Sequence, residues 1–192
     1  MILAVASLLA LHTSAQKKAT VSKADALKQE ASAQIQSRYE PYKTAAFSIW
    51  NFAEVGYKEV QSSSLLQQTL KENGFTVETG VAGMPTAFVA SYGSGSPVIG
   101  ILAEFDALPG LSQTNAPVKT SAGKSAGHAC GHHLFGVASV ASGIAIKELI
   151  AQKKLTGTIK VFGCPAEEGG GGKIYLVREG FFKDVDVAIH WH

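Results

Sequence analysis

The stretch Pro97-Val-Ile-Gly-Ile-Leu-Ala-Glu104 decides the fold class, because it is a nearly continuous apolar run that ends in a charged residue. Such a run is typical of a strand that is buried on both faces of a sheet. Downstream, residues 132–152 are apolar and rich in small side chains, which predicts a packed helix, and residues 158–163 predict another strand. This alternation favours an α/β fold, a three-layer sandwich in which helices cover both faces of a mostly parallel, mixed sheet.

The remaining elements follow from local patterns. Further helices are predicted at residues 24–53, at 59–73 with Gly74 as the stop, and from the glycine loop 169–172 to Glu179. Further strands are predicted at residues 75–81, 86–92 and 185–191.

Composition limits the class of protein and of partner. A chain of 192 residues, 46% hydrophobic and 17% charged, suits one ordinary globular domain. Its formal charge of +2 gives no basic stripe, and so no argument for nucleic acid or for an anionic membrane surface. Two cysteines are too few for a disulfide scaffold. The expected partner is a small molecule.

The first fifteen residues differ from all that follow. Met1 to Leu11 is almost wholly apolar and is followed by the small residues Thr13-Ser14-Ala15, which predicts a secretory signal peptide over residues 1–15 and a domain over 16–192. The run is too short to span the ~30 Å hydrocarbon core of a membrane. No Lys or Arg precedes Lys17, so a buried terminal helix and a misplaced start codon stay open as alternatives. We expect an exported protein, periplasmic or secreted.

Polar side chains lie at the carboxyl ends of three of the predicted strands. They are Glu104 and Asp106, Glu167 and Glu168, and His190 and His192. Open α/β sheets place their sites at the carboxyl ends of the strands, so these side chains are expected to lie within reach of one another.

The segment His128-Ala-Cys130-Gly-His132-His133 adds three histidines and a cysteine at the start of a predicted helix. These residue types are typical ligands of borderline-soft divalent metals, and the helix dipole favours a thiolate. The spacing is not that of a zinc finger, so an open site is expected rather than a closed structural one. Because the side chains of Glu167 and Glu168 diverge in an extended chain, one can bind metal while the other acts as a base. The set predicts metal-dependent hydrolysis.

Three other interpretations compete with this one. The loop Gly169–Gly172 before Lys173 suggests a phosphate cradle, but the Walker A spacing is absent, no Ser or Thr follows Lys173, and two carboxylates directly before the loop would repel phosphate. A disulfide between Cys130 and Cys164 stays open in an exported protein. An exported small-molecule binding module with a purely structural metal cluster is the non-enzymatic alternative.

Several motifs together resemble a known family. They are Asp106-Ala-Leu-Pro109, Gly127-His-Ala-Cys-Gly-His132, Pro165-Ala-Glu-Glu-Gly-Gly-Gly-Gly172 and Trp191-His192. In order and spacing they are similar to the zinc amidohydrolase and carboxypeptidase family that contains the aminoacylases, over roughly residues 35–192.

The resemblance implies roles for individual residues. Cys130 would be a thiolate shared by two metals, and His132, Glu168 and His192 would be further ligands. Glu167 would be the general base, and Asp106 would support the site. The implied cofactors are two divalent ions, zinc first and manganese or cobalt as alternatives. The implied substrate is an N-acyl or aminobenzoyl amino acid or a dipeptide-like molecule.

The sequence also departs from the family pattern. His133 stands where the family has Asp or Asn, and His190 has no counterpart. Family members are longer, with a lid domain inserted after the position of His192 and a later stretch that supplies a further metal-binding histidine. The resemblance therefore implies that residues 16–192 are the amino-terminal part of a catalytic domain, inactive alone, whose parent forms a homodimer through the lid.

Overall fold

The computed structural model describes residues 22–192, so the predicted signal peptide at residues 1–15 lies outside the described residues. The helices are α1 (Lys23–Ser37), α2 (Tyr39–Phe52), α3 (Val60–Glu72), α4 (His132–Ala151) and α5 (Gly172–Arg178), with a short 3-10 turn at Val81–Gly83. The strands are β1 (Thr76–Thr79), β2 (Phe88–Ser94), β3 (Val98–Ala103), β4 (Leu108–Pro109), β5 (Ala126–Gly127), β6 (Gly157–Gly163) and β7 (Val187–Ile189).

Five strands form the main sheet in the order β1-β2-β6-β3-β7, and β4 pairs with β5 in a separate two-stranded sheet. β3 runs parallel to both of its neighbours, with Ile101 opposite Val161 of β6 and opposite Ile189 of β7. β1 with β2 and β2 with β6 pair antiparallel. The prediction of an α/β fold with a mixed sheet is confirmed, and its parallel part is the half that contains β3.

Two hydrophobic cores lie on opposite faces of this sheet. The first packs α2, α3 and α4 against it and includes Ile49, Leu66 and Ile144. The second lies under α5 and includes Leu102 and Leu176. Neighbouring residues of β3 therefore contribute to different cores, which explains why the strand is apolar on both faces. The three-layer arrangement is confirmed.

Helix α4 is the central helix of the first core. Its length and composition would suffice to cross a membrane, but half of its apolar window is buried inside the protein, including Val140, Ile144 and Leu149. A β-carbon at Gly143 would lie 2.5 Å from Cγ2 of Val161, so the absence of a side chain lets α4 pack directly on β6. The small residues of this segment thus belong to a core helix.

Three sequence predictions of element length are wrong. The strand predicted at 75–81 is shortened to Thr76–Thr79, and Val81 begins the 3-10 turn. The helix predicted at 24–53 is interrupted at Arg38, between α1 and α2. Pro41 explains the break, because it has no N–H to donate to the carbonyl of Ser37 and its ring would clash with that carbonyl. The strand predicted at 185–191 is shortened to Val187–Ile189, which pairs along one edge with β3.

Candidate metal centre

The centre lies at the carboxyl ends of β3, β6 and β7. Because these three strands are parallel, the residues that follow them meet at one edge of the sheet. Glu104 directly follows β3 and His190 directly follows β7. The first turn of α4 brings His132 to the same edge.

His132 is the middle of this cluster and is fully buried. Its Nδ1 lies 2.8 Å from Oδ1 of Asp106, so Nδ1–H donates to the carboxylate and Nε2 faces the other side chains. Burial by itself lowers the pKa of His132, but the hydrogen bond and the charge of Asp106, together with Glu104 and Glu168, hold that pKa above its ordinary value. The same surroundings favour a metal cation at Nε2 in place of a proton.

Asp106 connects two segments of the centre. Its Oδ1 accepts from His132, and its Oδ2 accepts the backbone N–H of Glu168 at 2.9 Å. Both carboxylate oxygens are thus engaged. The structure places Asp106 behind the donor atoms, as a residue that orients them.

Two groups of donor atoms converge, and in each group all atoms lie within 4.8 Å of one another. The first group is Cys130, His132 and His192; the second is Glu104, His132, Glu167 and His192. Nε2 of His192 lies 3.2 Å from Sγ of Cys130 and 3.2 Å from Nε2 of His132. Three of the four ligands that the resemblance implies are therefore neighbours.

The carboxylate pair lies on the other side of His132. Oε2 of Glu167 is 3.5 Å from Nε2 of His132, and Oε1 of Glu168 is 3.8 Å from the same atom. Glu168 belongs to neither donor group, and its side chain is 18% exposed against 35% for Glu167. Both carboxylates are within reach of His132, so the assignment of one as ligand and the other as base stays a prediction.

Glu104 is the residue of this centre to which the sequence motifs give no role. It is 1% exposed, and its carboxylate contacts Lys173, His132 and His190. The sequence does offer one indication that Glu104 belongs to the centre. Glu104 lies two residues before Asp106, directly after a buried strand, and residues two apart in an extended chain point to the same side.

The donor set fits a divalent cation. Among the described residues, Oε2 of Glu104 and Oε1 of Glu168 are buried oxygens without a hydrogen-bond partner. Burying a carboxylate oxygen without a partner is costly, and a bound cation removes that cost. Burial raises the pKa of the Cys130 thiol to about 11, with Glu168, Glu167 and Glu104 adding to the effect. A cation would reverse this effect, because it favours the thiolate.

The other histidines of the 128–133 segment point away from the donors. Nε2 of His128 donates to the carbonyl of Ile49 at 3.1 Å, and the ring of His133 packs edge-on against Trp50. Burial lowers the pKa of both histidines to about 4, so both are neutral. Their contacts are with α2, which makes them part of the packing behind α4.

Both cysteines are free thiols in the described chain, so the alternative of a Cys130–Cys164 disulfide is absent from the structure. Cys164 is fully buried within the second core. The glycine loop packs against the segment that carries the carboxylate pair: a β-carbon at Gly170 would lie 2.6 Å from Cβ of Ala166. The glycines thus permit a close backbone approach beside the centre.

A cavity of about 190 Å³ opens beside the centre. Asp106 and Glu168 line it, together with Val55, Tyr57 and Pro109. It gives a small group access to Glu168.

Comparisons with known proteins agree with this geometry. Residues 100–192 match the profile of Peptidase family M20/M25/M40. The chain is 44% identical over 161 residues to one of the subunits of the p-aminobenzoyl-glutamate hydrolase of Escherichia coli (strain K12), covering 82% of this chain and 33% of that protein. It is 34% identical over 146 residues to hippurate hydrolase of Campylobacter jejuni, covering 72% of this chain and 36% of that protein.

A solved structure shares the fold. The Bacillus subtilis YXEP protein, a dinuclear metal binding peptidase from the M20 family, superposes with a TM-score of 0.71 at 23% identity, over 82% of this chain and 44% of that one. The chain spans about a third of the length of the curated relatives it matches.

Proposed function

The chain belongs to peptidase family M20/M25/M40, and on this premise we propose that the protein carrying it is a metal-dependent amidohydrolase. The proposed reaction is hydrolysis of the amide bond of an N-acyl or aminobenzoyl amino acid, or of a dipeptide-like substrate. The observation that carries the proposal is the convergence of thiol, imidazole and carboxylate donors within 4.8 Å of one another, beside a pair of glutamates.

The substrate class is supported by the relatives and by the cavity. The two relatives are named as hydrolases of p-aminobenzoyl-glutamate and of hippurate, and both names denote acylated amino acids. The cavity of about 190 Å³ beside Glu168 is of a size for a small group, with Tyr57 and Pro109 as apolar walls.

The proposed cofactors are two divalent metal ions, held by Cys130, His132, Glu168 and His192. A thiolate and two imidazoles favour zinc, with manganese or cobalt as alternatives. When bound, such ions polarise a carbonyl oxygen and lower the pKa of water.

The remaining chemistry belongs to the protein's own side chains. Asp106 keeps the proton of His132 on Nδ1, so that Nε2 stays available on the side of the substrate. Glu167 is the proposed general base: its carboxylate takes a proton from the attacking water and returns it to the leaving nitrogen. Its 35% exposure gives that carboxylate contact with solvent and substrate.

The test uses the intact protein that contains this chain. The expected result is bound zinc, manganese or cobalt by elemental analysis, together with hydrolysis of N-acyl amino acids and of p-aminobenzoyl-glutamate. Absence of both metal and hydrolysis, with each ion supplied, would reject the proposal. Bound metal without any hydrolysis would instead support the binding module with a structural cluster.

We propose further that the protein is exported. The support is the apolar segment at residues 1–11 followed by Thr13-Ser14-Ala15. Amino-terminal sequencing of the mature protein is expected to start at Gln16, and an uncut terminus in the cytoplasmic fraction would contradict export.

A further inference from the structure

We propose that Glu104 is a further metal ligand, which binds through Oε2 while Lys173 holds its Oε1. The inference rests on the proposed metal-dependent function and adds a donor that the sequence motifs do not assign. The observation that supports the inference is that Glu104 has a buried carboxylate whose two oxygens have different surroundings.

Oε1 of Glu104 has one hydrogen-bond donor, and a second side chain lies close to it. The ammonium group of Lys173, in the first turn of α5, donates to it. Nε2 of His190, directly after β7, lies 3.1 Å from the same oxygen. A carboxylate that is nine-tenths or more buried needs such cationic or donating partners to be tolerated. These contacts fix the direction in which the other oxygen points.

Oε2 of Glu104 faces the donor cluster. It lies 3.1 Å from Nε2 of His132 and 3.7 Å from Nε2 of His192. Despite these distances it has no hydrogen-bond partner within residues 22–192. Three potential ligand atoms thus surround one small space, an arrangement that a divalent cation stabilises.

A purely structural ion pair with Lys173 accounts for only half of this arrangement. It explains why Oε1 is buried, but it leaves Oε2 buried and without a partner. Metal-binding carboxylates commonly have their second oxygen held by an outer hydrogen bond, which fixes the ligand and tunes its basicity. Lys173 is positioned to be such an outer partner and would then act on the metal through Glu104.

The experiment measures metal binding by the intact protein that contains this chain, so it needs no turnover. Protein stripped with a chelator is titrated with Co²⁺, followed by its visible absorption bands, and then with Zn²⁺ in competition. The variants are Glu104→Gln, which keeps the shape and removes the charge, and Lys173→Met, which removes one outer partner. Glu148→Gln is the matched control, because Glu148 is half-buried beside Arg38, away from the centre.

The expected result is a graded loss of affinity. Lys173→Met should weaken binding by about 10- to 100-fold, the usual effect of losing an outer-shell partner. Glu104→Gln should weaken it by more than Lys173→Met does and should change the Co²⁺ spectrum, because one ligand is exchanged. Glu148→Gln should bind as the wild type does.

The outcomes separate the two proposals. If the intact wild-type protein binds neither Co²⁺ nor Zn²⁺, the proposed metal-dependent function fails. If the wild type binds and Glu104→Gln binds equally well with the same spectrum, the ligand role of Glu104 is overturned. Circular dichroism checks folding; should Glu104→Gln not fold, Glu104→Asp keeps the charge for Lys173 but withdraws the carboxylate by one methylene. Wild-type affinity in Glu104→Asp would then overturn the inference.

Discussion

Asp106 and His132 form a hydrogen bond of 2.8 Å in which both side chains are excluded from solvent. The bond fixes which imidazole nitrogen faces the donor cluster. Because the other oxygen of Asp106 accepts the backbone N–H of Glu168, the same residue also sets the position of the carboxylate pair.

Replacement of Asp106 by Asn is therefore expected to weaken metal binding. His132 and the N–H of Glu168 donate to different oxygens of Asp106, and in Asn one of these two positions is an NH2 group, which cannot accept. We expect a loss of about 10- to 100-fold in Zn²⁺ affinity, measured by competition titration. Asp184→Asn is the control, because Asp184 is exposed and pairs with Lys160. Equal affinity in the two variants would contradict the orienting role.

The two glutamates of the pair are expected to respond differently to the same change. In the intact protein, Glu167→Gln should retain metal and lose about 10² to 10⁴ in rate, the contribution of a positioned general base. Glu168→Gln should lose metal affinity. The pair serves as its own control, and the roles would be reversed if metal content fell only in Glu167→Gln.

Cys130 and Cys164 are expected to be two free thiols. Labelling of unfolded, metal-free protein under non-reducing conditions should count both, because the structure has no bond between them. In the folded state Cys164 should stay unlabelled, since it is fully buried. A count of zero thiols in an intact chain would favour the disulfide.

Glu59 is expected to hold the segment that leads to the carboxylate pair. It is fully buried, its Oε1 accepts the N–H of Ala166 at 2.8 Å, and its Oε2 accepts from Thr86 at 2.9 Å. Ala166 has a φ of 56°, a left-handed conformation that a non-glycine residue keeps only when its surroundings enforce it. Glu59→Ala should cost about 1–3 kcal/mol of unfolding free energy, because it leaves the N–H of Ala166 without its partner. Urea unfolding measures this loss, and an unchanged free energy would contradict it.

Glu59 also predicts a pH dependence. Burial raises the pKa of Glu59 above its ordinary value, although hydrogen bonds from Ala166 and Thr86 act to lower it. The carboxyl group of Glu59 therefore binds its proton more tightly in the folded state than in the unfolded chain. The contribution of this protonation to the free energy of unfolding is complete below the ordinary carboxyl pKa and is lost as pH rises through the raised pKa. Glu59→Gln removes this titration and should gain stability relative to the wild type as pH rises above about 4 in urea unfolding. A difference that does not change with pH would contradict this account.

Patterns within one segment predicted the fold well. The apolar run of residues 97–104 predicted a strand that contributes to both cores, and the spacing of small residues predicted the packed helix α4. The break between α1 and α2 escapes prediction because the helical composition continues through it. Its signal is a single residue, Pro41, whose effect is steric and does not appear in hydrophobic periodicity.

The candidate site was only partly predictable. Local motifs identified Cys130, His132 and His192, and these residues do converge in the structure. The part played by Glu104 depends on Lys173 and His190, which reach it from separate elements. Sequence spacing cannot show which of the two carboxylate oxygens of Glu104 has a hydrogen-bond partner. Only the three-dimensional contacts distinguish the two oxygens.

His132 and His192 belong to both donor groups, which has a consequence for how the centre fills. A neutral imidazole offers one lone pair, so each ring can coordinate a single cation at a time. In the proposed two-ion centre, the two ions would therefore compete for these nitrogens. The ion that binds both rings would leave the other to be held by anionic side chains, so we expect the two ions to bind with unequal affinities.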